Sequence, residues 1–555
     1  MPKLRCSLLV LVLGTVAPFT PLLVARAHAA LCACGGHHAG LCPHGFAAGG
    51  GDPTQPGAGG PAAAPFQLTG RWNSTSQGTF FGGGTPVTLT WGFVPDGLFI
   101  SGGLGEPGSP SDLIAFLDAN VGDGSDTTAA NPTDQSGKSW FSLFQSAYDR
   151  WESISGLTFL YEPNDSGAFL NLSGQDGVRA DLRISGHFID GQGPAPDNLA
   201  YNYFPTFGDM VIDTSNVDLY SNSADNFLRL RNVLMHEIGH GLGLNHVESN
   251  NSRQLMEPRI DLAIEGPQID DILGIQRHYG DALEKNGGNN TQATATFATS
   301  LSLFAGWAIG VDADFTDPGQ PVRMDQTDFI SIDDNGDVDF FEFVAADTGL
   351  LDLRAKPVGP TYNEAAQATG PQPLPQDPMA ASEQSRLIFS VVNSQGQQIA
   401  FAQAASLGDA VVFNDLAVQA GESYFVRVGG SQNTVQLYRL DAALNPAAAP
   451  GIRFDLANLP AAGQREFSLT AGGVELTVGA LGQQAALGAA GQGLGVLSAD
   501  EREDPQTPLS EDLLSIDGSL ATPEQLLLSF DTDVRIENLE IVGLEIGGDE
   551  SVLLS

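Results

Sequence analysis

Cysteine is nearly absent from this chain of 555 residues: four in all, at Cys6, Cys32, Cys34 and Cys42. Everything after residue 42 is therefore without a disulfide, so its stability rests on packing and on any metals it binds. Basic residues are scarce too. Lys and Arg number 24 against 66 Asp and Glu, a formal charge of −42. That balance argues against nucleic acid as a partner and against docking on anionic membranes. It suits a secreted protein in a salty or calcium-containing medium, and it equally serves solubility alone. Beyond residue 30 no apolar run is long enough to span a bilayer. With only 16% charged residues and 67 Gly, the composition favours β-rich modules and turns over long surface helices.

The first thirty residues carry the marks of an export signal. Lys3 and Arg5 give a basic start, Leu8 to Val16 an apolar run, and Ala27-His28-Ala29 a small-x-small cleavage site. Residues 31–65 hold the remaining cysteines together with His37, His38 and His44, and then a Gly/Pro-rich linker. These thiols leave two readings open: one local disulfide with an odd cysteine, or a thiolate for the open position of a metal site further along.

Histidine is rare, nine in the chain, yet three fall in the eleven residues His236 to His246. On a helix, His236 and His240 share one face a turn apart and can hold one Zn²⁺, with Glu237 beside them to take a proton from water. Gly243 can adopt the left-handed conformation that ends the helix and returns His246 as a third ligand. Three nitrogens leave the fourth position open, the arrangement of a catalytic zinc. Met256 follows in Leu255-Met256-Glu257-Pro258.

A helix carrying HExxHxxGxxH and then a Met-turn is the metzincin signature. The ordered elements around it resemble the matrixin branch over residues 66–280. They are strands at Val87–Val94, Leu157–Tyr161 and Ala180–Ser185, a helix at Phe141–Trp151, and a strand at Leu199–Pro205. A closing helix follows at Asp270–Gly280. The metal helix is expected to start near Ser223 or Asp225 as N-caps. The resemblance implies one catalytic zinc on His236, His240 and His246, Glu237 as general base, and Met256 as an apolar floor. It also implies Leu199 and Ala200 on the strand that pairs with an extended substrate. Asp190 and Asp213 match calcium ligands of that family. Of the three histidines that hold its structural zinc, only His187 has a counterpart, with Tyr201 and Val211 at the other two places, so a second zinc is not expected. Val247 replaces the serine usual after the third histidine.

The fold expected is multidomain, an α+β metzincin-like catalytic domain followed by all-β sandwich modules. A polar linker is placed at 281–300. Residues 301–445, with DVDFFEF at 337–343 and AGESYFVRV at 420–428, resemble the prepeptidase C-terminal domain, interrupted by a Pro/Ala/Gln-rich loop at 356–385. Asp333, Asn335 and Asp337 offer a calcium loop or a plain Asn-Gly turn. Residues 446–555 read as a second β-rich module. The function expected is secreted, zinc-dependent hydrolysis of peptide bonds in extracellular proteins. The alternatives are a surface or matrix binding protein with a vestigial zinc domain, and a zinc hydrolase acting on a non-peptide substrate.

Overall fold

The computed structural model describes residues 66–125, 131–191, 198–368 and 372–446. Beyond these it describes only the backbone of strands at Leu31–Cys32 and between Glu466 and Phe530. The export signal and most of the Cys/His-rich segment therefore lie outside the described residues. The described residues 66–446 belong to one compact unit, and the strands between Glu466 and Phe530 to another.

The part of the chain that carries the three-histidine motif is built on a five-stranded sheet. Its strands are β1 (Val87–Phe93), β2 (Leu157–Tyr161), β3 (Leu182–His187), β4 (Ala200–Asn202) and β5 (Met210–Asp213). Their order is β2-β1-β3-β5-β4, parallel throughout except that β4 runs antiparallel at the edge. Parallel strands buried on both faces read as apolar runs, and β1 does, with Leu89 and Trp91 fully buried. Between β1 and β2 the chain makes α1 (Leu113–Asn120) and α2 (Phe141–Ser153). The apolar stripe of α2, Phe144, Ala147, Tyr148 and Trp151, faces the sheet, and Tyr148 stacks on Trp91 at 4.5 Å.

The metal helix α3 spans Leu228–Gly241, and the closing helix α4 spans Ile269–Tyr279. Neither Ser223 nor Asp225 caps α3. Asp225, Asn226 and Phe227 are all left-handed, with φ of 52°, 56° and 57°, so helical geometry cannot begin before Leu228. Arg231 offsets that unfavourable run by donating to the carbonyls of Asp225 and Asn226.

The region after residue 295 is predominantly β. One sheet runs Thr296–Leu301, Val338–Ala345, Ser423–Gly430, Leu387–Asn393, Gln398–Gln403. The other runs Gly306–Ile309, Gln436–Asn445, Gly349–Pro357, Val411–Val418, with Ile330–Ile332 also paired to Gln436–Asn445. Strict alternation in Val338–Ala345 sends Phe341, Phe343 and Ala345 into a core shared by both sheets. The same alternation sends Asp339 inward, a carboxylate at a core position.

The stretch expected to be a linker is packed instead. Asp281 and Glu284 are buried, and one apolar cluster runs from α2, α3 and α4 into Val322, Phe329, Val358, Tyr362 and Leu437. The loop expected at 356–385 holds a hairpin that leaves the sandwich. It pairs β7 (Thr361–Ala366) with β8 (Asp377–Ala380) and adds β7 to β6 (Val247–Glu248), next to the third histidine. In the other unit, Glu466–Ala471, Val474–Leu481 and Gln525–Phe530 form an antiparallel sheet, and Ala486–Ala490 pairs with Gly493–Leu497.

Candidate metal centre

α3 is buried from Leu230 to Gly241, so its imidazoles sit in a rigid, nearly dry setting. Trp72 donates its indole N–H to the Gly241 carbonyl at 2.7 Å, and Trp151 donates to Met235 at 3.0 Å, fixing the helix from two sides. The chain then turns at Gly243, whose φ is +103°. A side chain there would meet the Gly70 carbonyl at 2.2 Å, so only glycine allows the turn that carries His246 back.

The three imidazoles converge. His246 Nε2 lies 3.2 Å from His236 Nε2 and 3.1 Å from His240 Nε2. Ligands on a tetrahedral zinc at its usual Zn–N length stand about 3.3 Å apart, so the spacing fits that ion. The chemistry of the donor set fits it as well. Each Nδ1 has an oxygen to donate to: the Leu255 carbonyl for His236 at 2.7 Å, the Leu244 carbonyl for His240 at 2.8 Å, and Gln367 Oε1 for His246 at 2.7 Å. With the protons on Nδ1, three Nε2 lone pairs face one another, an arrangement that a cation between them satisfies. Burial also pushes His236 down to about 3, keeping it neutral. Glu237 is fully buried on the same helix, the residue next to His236.

Met256 packs on the metal helix. A side chain on Gly239 would meet the Met256 sulfur at 2.4 Å, so the thioether lies against the metal helix. What holds the turn has no local signature in the sequence. The Asp271 carboxylate, from the first turn of α4, accepts from the N–H groups of Leu255 at 2.8 Å, Met256 at 3.1 Å and Gln268 at 2.8 Å. Burial pushes its carboxyl up to about 6. Because Leu255 in turn accepts from His236, Asp271 acts on the metal centre through the Met-turn. We expect Asp271→Asn, which turns amide protons toward main-chain donors, to lose about 1–3 kcal/mol of stability. Urea unfolding of the two proteins would check this, and equal midpoints would refute it.

The other predicted positions resolve unequally. β4 is indeed the sheet edge. Leu199, however, turns its carbonyl inward to accept from Asp213 at 2.9 Å, so by alternation Ala200 and Asn202 point main-chain groups outward. Where the resemblance would place a structural zinc, His187 binds Ser109 at 2.9 Å and Glu106 at 3.3 Å, and Tyr201 donates to the same Glu106 at 3.2 Å. Asp213 already accepts from Ile189, Ser215 and Asn216. Asp190 accepts from Asn198 at 3.1 Å. Val247, in place of the usual serine, is buried and pairs with Ala366 across β6 and β7.

A second group of potential ligands lies where the catalytic half meets the sandwich. Ligand atoms of Glu284, Asp337 and Asp339 all lie within 4.8 Å of one another. Glu284, Asp333 and Asp337 also line a cavity of about 450 Å³ with Gly84 and Asn290. Glu284 Oε1, Asp339 Oδ1 and both amide atoms of the buried Asn289 have no hydrogen-bond partner among the described residues.

Comparison with known proteins places the metal centre in a family. Residues 127–280 match the sequence profile of Peptidase M10, the matrixins. The metalloendoproteinase 2-MMP of Arabidopsis thaliana is 29% identical over 177 residues, 30% of this chain and 44% of that protein. The metalloendoproteinase 5-MMP of the same plant is 29% identical over 190 residues, 31% of this chain and 49% of that one. The chain thus spans less than half the length of these curated relatives. Among solved structures, the pre-peptidase C-terminal domain of collagenase from Bacillus anthracis covers 27% of this chain and 95% of its own, at 12% identity and a TM-score of 0.14. That likeness is too slight to carry an argument about fold. All three convergent imidazoles fall inside the matched stretch, and the chain carries a matrixin-like metzincin domain.

Proposed function

We infer that the chain is a secreted zinc-dependent metalloendopeptidase that hydrolyses peptide bonds in extracellular proteins. The observation that carries this reading is the convergence of His236, His240 and His246 through their Nε2 atoms, with Glu237 adjacent. Zinc bound there would polarise the scissile carbonyl and make a water molecule acidic enough to lose a proton near neutral pH. Glu237 takes that proton and delivers it to the leaving amine. The edge strand β4 is the candidate to pair with an extended substrate, a mode tolerant of many side chains. Export rests on the leader-like first thirty residues, and among the described residues no helix is long and apolar enough to cross a membrane. A casein or gelatin zymogram with and without a zinc chelator tests the reading. A clearing band that persists in the chelator would reject zinc proteolysis, and no band in either lane would favour a binding role.

The cofactor reading extends to calcium. What supports it is the cage of Glu284, Asp337 and Asp339, whose ligand oxygens lie within 4.8 Å of one another and can share one calcium, with Asp333 lining the adjoining cavity. Burial, compounded by facing carboxylates, holds Asp337 up at about 6, Glu284 at about 8 and Asp333 at about 9. Asp339 is held well above its ordinary range by the same causes. Arg277 donates to the Asp333 main-chain carbonyl at 2.8 Å and stands 3.7 Å from the Asp334 carboxylate. The cage is favoured over Asp190 and Asp213 because Asp213 already serves donors of its own turn.

A further inference from the structure

Two of the three metal-directed histidines are oriented by main-chain carbonyls of the catalytic half, Leu255 and Leu244. The third is not. His246 Nδ1 meets Gln367 Oε1 at 2.7 Å, a side chain 121 positions further along. Gln367 follows β7, the strand that the sandwich hairpin adds to β6, with Val247 opposite Ala366 and Glu248 opposite Ala365.

The hairpin is fastened on both flanks. Gln376 donates to the Glu248 carbonyl at 3.1 Å and accepts from the Asn250 N–H at 2.8 Å. Asn363 bonds to Asn250 at 2.9 Å and Asn251 at 2.7 Å. On the inner side, the buried Tyr362 hydroxyl donates to Asp270 of α4 at 2.7 Å. A side chain anchored this way is held in place and does not sample the site from a mobile loop.

We propose that Gln367 is a positioning residue for His246, and that the β module thereby completes the metal centre of the catalytic domain. The proposal rests on the zinc reading above. If Nε2 gives its lone pair to a metal, Nδ1 must carry the proton, and the neighbour must be an acceptor. The Gln367 carbonyl oxygen is that acceptor. It fixes the tautomer and the ring plane and raises the basicity of Nε2. Partners of this kind change metal affinity or activity by about 10–100-fold when removed.

The test uses the full chain and three variants: Gln367→Met, which keeps the volume and lacks the acceptor, Gln367→Glu, which keeps an acceptor, and His240→Ala. Zinc affinity is read by competition with a chromophoric chelator, and site geometry by the visible spectrum of the cobalt-loaded protein. Gln367→Met should lose about 10–100-fold in zinc affinity with a changed cobalt spectrum. Gln367→Glu should bind zinc as tightly as the parent or more tightly, while the circular dichroism of all three stays that of the parent. Parent-like zinc affinity in Gln367→Met, with zinc lost in His240→Ala, would overturn the proposal and leave the zinc reading standing. A parent chain that binds no zinc would overturn the zinc reading, and the proposal with it.

Discussion

Glu237→Ala should abolish nearly all peptide hydrolysis while leaving zinc bound and the fold intact. The carboxylate lies on a helix buried from Leu230 to Gly241 and held by Trp72 and Trp151. The three imidazoles take their orientation from Leu255, Leu244 and Gln367, none of which involves Glu237. Removing the carboxylate therefore deletes a proton carrier without disturbing the ligands. General-base contributions are about 10²–10⁴-fold, and the loss should appear in kcat with little change in KM. Zinc content by atomic emission should match that of the parent. Cleavage of casein at the parent rate by Glu237→Ala would refute this role outright, whereas His240→Ala should lose the metal itself.

The second large effect concerns the acidic cage. Stripping calcium should lower the melting temperature, and the size of the drop should depend on pH in a defined direction. The cage carboxylates are raised in the folded state, so without a cation folding keeps their protons to higher pH than the unfolded chain does. Their favourable contribution is complete below the ordinary carboxylate range near pH 4 and is lost as pH rises through about 6 to 9. Calcium replaces those protons, so the fall should vanish when it is bound. A cation present at about 100-fold its dissociation constant adds about 2.7 kcal/mol, roughly 3 °C for a unit of about 400 residues. Calorimetry in EGTA or calcium should therefore give nearly equal midpoints at pH 5 and well-separated ones at pH 8. Coincident traces at pH 8 would dispose of the site. In a Glu284→Gln, Asp339→Asn double variant, the separation should disappear.

Much of the catalytic half is legible in the sequence because its signals are local. The histidine register, the turn at Gly243, the stripe of α2 and the closing helix each depend on residues a few positions apart. The features that escape a sequence reading share a different cause. The start of α3 differs from the expected one because three consecutive left-handed residues, Asp225 to Phe227, override the capping preference of Ser223 and Asp225. Asp271 reads as an ordinary first-turn acid, and nothing nearby announces that its oxygens reach the Met-turn 15 and 16 residues back. Glu284 sits in a stretch whose polarity suggests a linker, yet it is buried against carboxylates more than fifty positions away. Gln367 is one of several glutamines in a stretch rich in Pro, Ala and Gln. A signal does exist for the cage. Asp339 falls in strict alternation with Phe341 and Phe343, and an acid in the inward register of a strand needs a partner or a cation.

The pairing of β7 with β6 also bears on synthesis. The metal helix leaves the ribosome first, but the strand that flanks His246 and the side chain that orients it follow 121 positions later. At roughly 5–20 residues per second, that interval is on the order of 6–24 seconds. Through it His246 lacks the acceptor on Gln367, so the centre reaches its full metal affinity only after much of the β module has emerged.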